Sequence, residues 1–255
     1  MISVITMLFS LGRALSLIPV FAVCLLILPG TSSALIADPA YVSPPAGASE
    51  RSVATELEQD LRQKGLVCAN MLDPSIIVDL KYARSDNFMG VNVYRGLNRA
   101  YLLPEAAEKL VAASGILQEQ YPELRILVGD AVRPRSVQQE MWELVVNTPR
   151  QPYVANPKWG SMHNYGAAVD VTLFNVKTGE RVDMGTPLDH FGLLAQPLLE
   201  DAFLRQGKLT SSQIENRLIL RNAMLDAGWH MINIEWWHFN AFPKEVIRDS
   251  FLIIE

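Results

Sequence analysis

Apolar positions along the chain change period several times after an N-terminal stretch that has no period at all. Leu57 and Leu61, one helical turn apart, predict a helix over Val53–Gly65 with Gly65 as its stop. Ile76–Tyr82 is a short run that predicts a strand, and Ser85–Arg99, mixing Asn, Gly and Asp, predicts a structured loop. Pro104 suits a first helical turn, and Leu110, Ile116 and Leu117 supply the apolar side of the helix it opens. Leu124–Val128 (LRILV) then predicts a strand ending at Gly129-Asp130, and Ser136–Val146 a helix. Residues 147–160 are a loop rich in Pro and Asn, Ala167–Phe174 is a strand, and Lys177-Thr178-Gly179-Glu180 is a hairpin turn. Gln213–Ala227 is a helix with Ile214, Leu218 and Leu225 along one side; Gly228 ends it, and Met231–Phe239 is the last expected strand. Interleaved helices and strands, with no repeat and no glycine-rich phosphate loop, predict one α+β domain over 51–255 with a small, largely antiparallel sheet flanked by helices.

The aperiodic N-terminus reads differently. Ala14–Pro29 is almost wholly apolar, Arg13 is the only charge before it, and Thr31-Ser32-Ser33-Ala34 are small. This predicts a secretory signal peptide over 1–34 and export to the periplasm or cell envelope. An uncleaved membrane anchor is the alternative, but the apolar run is short for a spanning helix. Residues 35–50 (LIADPAYVSPPAGASE) read as a flexible leader. Cleavage after Ala34 removes Cys24 and leaves Cys68 alone, so no intrachain disulfide is available. Val23 is bulkier than the small residue that precedes a lipid-attachment cysteine, which argues against that role for Cys24.

The remaining composition narrows the function. The full chain carries 22 basic and 27 acidic residues, net −5, which lacks the basic footprint of a nucleic-acid binder. Candidate chemistry lies in two stretches. In SMHNYGAAVD (161–170), His163 precedes Asp170 by seven residues, with Gly166, Ala167 and Ala168 small enough to let the backbone turn and approach closely. In EWWHF (235–239), Glu235 precedes His238 by three. His163, Asp170 and His238 together offer two nitrogens and one oxygen, the donor set of a catalytic zinc site with an open position. Glu235 would then be the base for a water. On a regular strand, residues three apart point to opposite faces, so Glu235 and His238 share a site only where the strand ends, twists or bulges. Each of the four has an ordinary structural reading when taken singly, and His190 and His230 are read as structural. Arg133, just after a predicted strand and held extended by Pro134, could stabilise an oxyanion or form a surface ion pair. Trp236 and Trp237 read as core and pocket-wall aromatics.

With these residues in place, the sequence resembles the zinc D-alanyl-D-alanine dipeptidases. The matching segments are Val78–Ala83 with Asp86–Phe88, Asp130–Pro134, Ser161–Asp170, Met184–Thr186 with Asp189, and Glu235–Phe239. The resemblance implies a Hedgehog/DD-peptidase-like α+β fold and one Zn(2+) per chain held by His163, Asp170 and His238. It implies Glu235 as general base and acid, Arg133 as the group steadying the tetrahedral intermediate, and Ser161 in the substrate site. Asp189 would hold the free ammonium of the dipeptide D-Ala-D-Ala. The implied role is cell-wall peptide turnover, with a small dipeptide as partner and no nucleic acid. A D,D-carboxypeptidase acting on peptidoglycan stems, and a non-catalytic zinc-dependent wall-binding module, remain as alternatives.

Overall fold

A computed structural model of the chain describes residues 54–255. The expected signal peptide and leader, and the first three positions of the expected domain, lie outside the described residues. Helix α1 (Glu56–Gln63) begins where the Thr55 hydroxyl accepts a hydrogen bond from the Glu58 amide at 3.3 Å. Strand β1 (Val67–Cys68), helix α2 (Ala69–Leu72), strand β2 (Ile77–Val78) and strand β3 (Tyr101–Leu102) follow. The Ile76–Tyr82 run is therefore strand over only two residues. Asp79 is drawn off to pair with Arg84 at 2.9 Å and with Arg181, and Lys81–Ala83 closes into a 3-10 turn.

Pro104 stands in the first turn of α3 (Pro104–Gln120), which buries Ala106, Ala107, Leu110, Ala113 and Leu117. The chain continues through β4 (Leu124–Asp130), α4 (Arg135–Val145), β5 (Ala168–Asn175), β6 (Glu180–Arg181), α5 (Glu200–Arg205), α6 (Ser211–Asp226), β7 (His230–Met231), β8 (His238–Asn240) and α7 (Lys244–Ser250). The main sheet runs β2-β4-β5-β8-β7, with β6 added to β5 beyond β8. Among the described residues only β2–β4 is parallel; the other pairs are antiparallel, and β1 and β3 form a separate antiparallel pair. The fold is α+β with a largely antiparallel sheet, as the patterning predicts.

Alternation along β5 separates core from site. Val169, Val171 and Leu173 join Leu110, Leu117 and Leu220 in the main apolar core, where α3 packs on β4 and α6 packs on β5. Each such side chain contributes about 1.5–3 kcal/mol when fully buried. Asp170, between two of them, points to the opposite face.

Two further expectations change. The predicted strand Met231–Phe239 is a hairpin: β7 and β8 pair antiparallel, His230 with Asn240 and Met231 with Phe239, around the turn 232–237. The side of α6 facing the core is also not the one the apolar spacing suggests. Leu218 and Leu225 are exposed, whereas Arg217, Leu220, Ala223 and Met224 are buried. Arg217 is accommodated because its guanidinium donates to the Met184 and Leu194 carbonyls and to Glu200. Apolar periodicity does not see a buried side chain that is charged and fully paired.

Candidate metal centre and active-site cavity

Three adjacent strands place one residue each in a row on the face away from the core. Asp130 on β4 pairs directly with Asp170 on β5, and Asp170 pairs directly with His238 on β8. The β4–β5 register shifts between Val128 and Asp130, so Gly129 is an extra residue, a bulge of the kind that re-aims side chains beside active sites. A Cβ at Gly129 would meet Leu188 Cδ1 at 2.3 Å, so a larger residue there would have to displace the Leu188 side chain. His163 enters from the 3-10 segment Met162–Tyr165, which Ser161 caps and Gly166 ends in a left-handed conformation.

The ligating atoms converge. His163 Nε2 and His238 Nδ1 are 3.1 Å apart, Asp170 Oδ1 lies 3.0 Å from His238 Nδ1, and it lies 3.4 Å from His163 Nε2. Bonds of about 2.0–2.1 Å in a tetrahedral arrangement would put ligand atoms about 3.3 Å apart, so the donor set fits a metal of zinc's size. The other imidazole nitrogens are engaged. His163 Nδ1 donates to the Ala131 carbonyl at 2.7 Å, and His238 Nε2 donates to Asn240 Oδ1 at 3.0 Å. These bonds leave the lone pairs of Nε2 and Nδ1, respectively, for the common point.

Glu235 comes from the turn before β8, not from a strand. That resolves the strand-parity conflict, and its Oε2 lies 4.0 Å from His238 Nδ1. Burial, together with the nearby charges of Asp170 and Asp189, pushes the Glu235 carboxyl up to about 8 against the opposing pull of His238. Asp170 goes the other way: despite burial, His163 and His238 hold it well below the usual carboxylate range. His163 is raised, because the charges of Asp170 and Asp130 outweigh its burial. The negative charge that favours a proton on His163 equally favours a metal cation.

Arg133, Ser161 and Asp189 line the same cavity of about 220 Å³ as His163, Asp170, Glu235 and His238. All seven residues singled out in the sequence are therefore brought together. The Arg133 guanidinium is buried, donates to Asp130 and to Gln138 Oε1 at 2.9 Å, and lies 3.8 Å from Asp170 Oδ2. Ser161 keeps its hydroxyl within 3.4 Å of the His163 amide. Asp189 adopts a left-handed backbone, φ 61°, a strained setting for a non-glycine residue and a frequent mark of a functional position. Tyr82 lies beside its carboxylate, while its Oδ2 is buried with no hydrogen-bond partner among the described residues. Burial, and then the charge of Asp170, push Asp189 up to about 6.

Several contributors escape a reading of the sequence. Asp130 anchors Arg133 and accepts hydrogen bonds from the Tyr94 hydroxyl and the Ala131 amide, yet in the chain it is one more acid after a strand. Asn240 had a usable signal, since it follows His238 by two residues and strand alternation puts both on one face. His190, read as structural, lines the cavity with Phe191. Trp237 lines it too, and Trp236 is buried with its Nε1 donating to Thr186 at 2.7 Å.

Comparison with known proteins agrees with this arrangement. A peptidase M15 family model described as D-ala-D-ala dipeptidase matches residues 62–254. The D-alanyl-D-alanine dipeptidase of Escherichia coli is 31% identical over 189 residues, covering 73% of this chain and 91% of that protein. The Enterococcus faecium protein of the same name is 28% identical over 189 residues, covering 68% and 86%. The Streptomyces coelicolor one is 30% identical over 184 residues, covering 63% and 83%. By that match, which spans the whole of the site just described, the chain belongs to the M15 family of metallopeptidases, the family described as D-ala-D-ala dipeptidase.

Proposed function

We propose that this protein is a zinc-dependent dipeptidase that hydrolyses D-Ala-D-Ala, exported to the cell envelope and acting in cell-wall peptide turnover. The observation that carries the reading is the convergence of His163, Asp170 and His238 within 4.8 Å beside the Glu235 carboxylate. Two imidazoles and one carboxylate leave a position open, which separates a catalytic from a structural zinc site. Ferrous iron also accepts this donor set; the adjacent carboxylate base and the peptidase family favour zinc. When bound, the metal supplies Lewis acidity, polarising the scissile carbonyl and lowering the pKa of a water from 15.7 to about 7.

The chain's own groups do the rest. Glu235, 4.0 Å from His238 Nδ1, takes a proton from the attacking water and delivers it to the leaving amine. Arg133, kept charged by Asp130, supplies positive charge for the oxyanion. Asp189 faces the free ammonium. Its unpartnered Oδ2 favours the dipeptidase over the carboxypeptidase reading, since an N-acylated stem brings no cation to pair with it. The cavity, below the usual 300–1,000 Å³ of small-molecule pockets, suits a small substrate.

The test is an assay of residues 35–255 on free D-Ala-D-Ala and on an N-acylated D-Ala-D-Ala stem, with and without a chelator. Cleavage of the free dipeptide, abolished by the chelator and restored by zinc, supports the reading. Cleavage of the acylated stem alone overturns the substrate assignment, and chelator-insensitive turnover overturns the metal. In Glu235→Gln, about one zinc per chain with turnover down by roughly 10²–10⁴ is expected; full turnover would remove Glu235 from the chemistry.

A further inference from the structure

A free dipeptide presents an ammonium, a scissile carbonyl and a carboxylate. In the reading above, Asp189 meets the first, and the metal position with Arg133 meets the second. The carboxylate is left without a counter-charge. Apart from histidines, the cationic side chains lining the cavity among the described residues are Arg133, Lys244 and Arg248. Arg133 is committed, its guanidinium held by Asp130 and Gln138.

Lys244 and Arg248 are different. They stand four residues apart on α7, so they share a side of that helix, and both are exposed. Neither side chain enters an ion pair or hydrogen bond among the described residues. The helix itself is fixed: Ile247 is buried in one apolar cluster with Met162 and Tyr165, both in the segment that carries His163. Glu245 and Asp249, the acids of the same helix, do not line the cavity, whereas the two bases do. Asp189 is carried by another part of the chain, the loop beyond β6, against Tyr82.

We propose that Lys244 and Arg248 are specificity residues that hold the C-terminal carboxylate of the substrate. The inference rests on the dipeptidase reading and deepens it. A cavity with an acid for one terminus and two bases for the other is a ruler for a zwitterion. It selects length by requiring both end charges, and it sets the bond to be cut between them. Lysine and arginine at the rim can reach over the bound peptide on their apolar stems, so they need no burial in the free protein.

Lys244→Met, Arg248→Met and the double variant keep the stems and remove the charge. Each is compared with the wild-type chain on D-Ala-D-Ala and on the same dipeptide capped as a C-terminal amide. The wild type is expected to prefer the acid by about tenfold in kcat/KM, the scale of one charge-assisted contact. In the double variant that preference falls toward one, with KM for the acid moving more than kcat. A single variant that reproduces the whole loss assigns the contact to that side chain. An acid-over-amide preference that survives in the double variant overturns the proposal while leaving the dipeptidase reading intact. A wild-type chain that cleaves neither substrate removes the dipeptidase reading, and this inference with it.

Discussion

Asp170 and His238 are direct cross-strand partners, with Asp170 Oδ1 3.0 Å from His238 Nδ1. Two of the three candidate ligands are therefore positioned by sheet register rather than by loop geometry. The third, His163, is held by a backbone carbonyl, that of Ala131. The two imidazoles consequently differ in how substitution can disturb them: the support of His163 is main chain, while that of His238 is the side chain of Asn240.

Asn240→Ala removes the acceptor that orients His238 and sets its tautomer. Zinc affinity is expected to fall about 10–100-fold with the fold retained, as is usual for a lost outer hydrogen bond to a ligating histidine. Competition with a chromophoric chelator reads this directly, and an affinity equal to wild type would show that Asn240 does not orient the ring.

Asp189→Asn is expected to raise KM for free D-Ala-D-Ala about tenfold or more, since a charge-assisted contact is lost. The wild-type KM should also depend on pH. Because Asp189 is pushed up to about 6, rising pH ionises it through that region and KM falls; below it, wild type approaches the variant. A KM profile through pH 6 that is the same in both proteins would show that Asp189 is not the ammonium partner.

The metal-free protein is expected to lose stability as pH rises. Glu235 titrates near 4.5 ordinarily and about 8 in the fold, so between these values the folded chain holds a proton that the unfolded chain has released. The contribution is fully present below about pH 4.5 and is lost as pH rises through about 8, at roughly 1.4 kcal/mol per pH unit within the window. Urea denaturation of metal-stripped wild type and Glu235→Gln at several pH values isolates it, because the variant lacks the ionisation. Parallel curves for the two proteins would contradict the assignment.

Gly166→Ala tests the turn that delivers His163. The position has φ of +66°, and an added Cβ would come within 2.8 Å of Leu66 Cδ2 and 3.3 Å of the Leu103 nitrogen. A left-handed alanine costs about 1–2 kcal/mol, and contact with backbone adds to that. Thermal denaturation should show a clear decrease in midpoint; an unchanged midpoint would mean that the turn relaxes without cost.

Much of this protein was determined by its sequence alone. The helix Pro104–Gln120 and the strands around Leu124–Val128 and Ala168–Phe174 announce themselves because local patterning and turn residues agree with the final burial, whereas Ser211–Asp226 announces itself as a helix but not by its buried side. The residues of the candidate site were legible too, since histidines are scarce and the spacings in SMHNYGAAVD and EWWHF are distinctive. Tertiary structure alone decided the rest. Glu235 shares a site with His238 because the segment between β7 and β8 turns, and Asp130 joins the row because Gly129 bulges; β8 and β4 are each set in place by pairing with β5, which is distant from both in the chain. Arg217 is buried because its partners come from residues 184, 194 and 200, which no window along one helix contains. Local propensity acts over a few residues, whereas register and charge pairing are settled only when remote segments meet, and that meeting aligns Asp130, Asp170 and His238 on one face of the sheet.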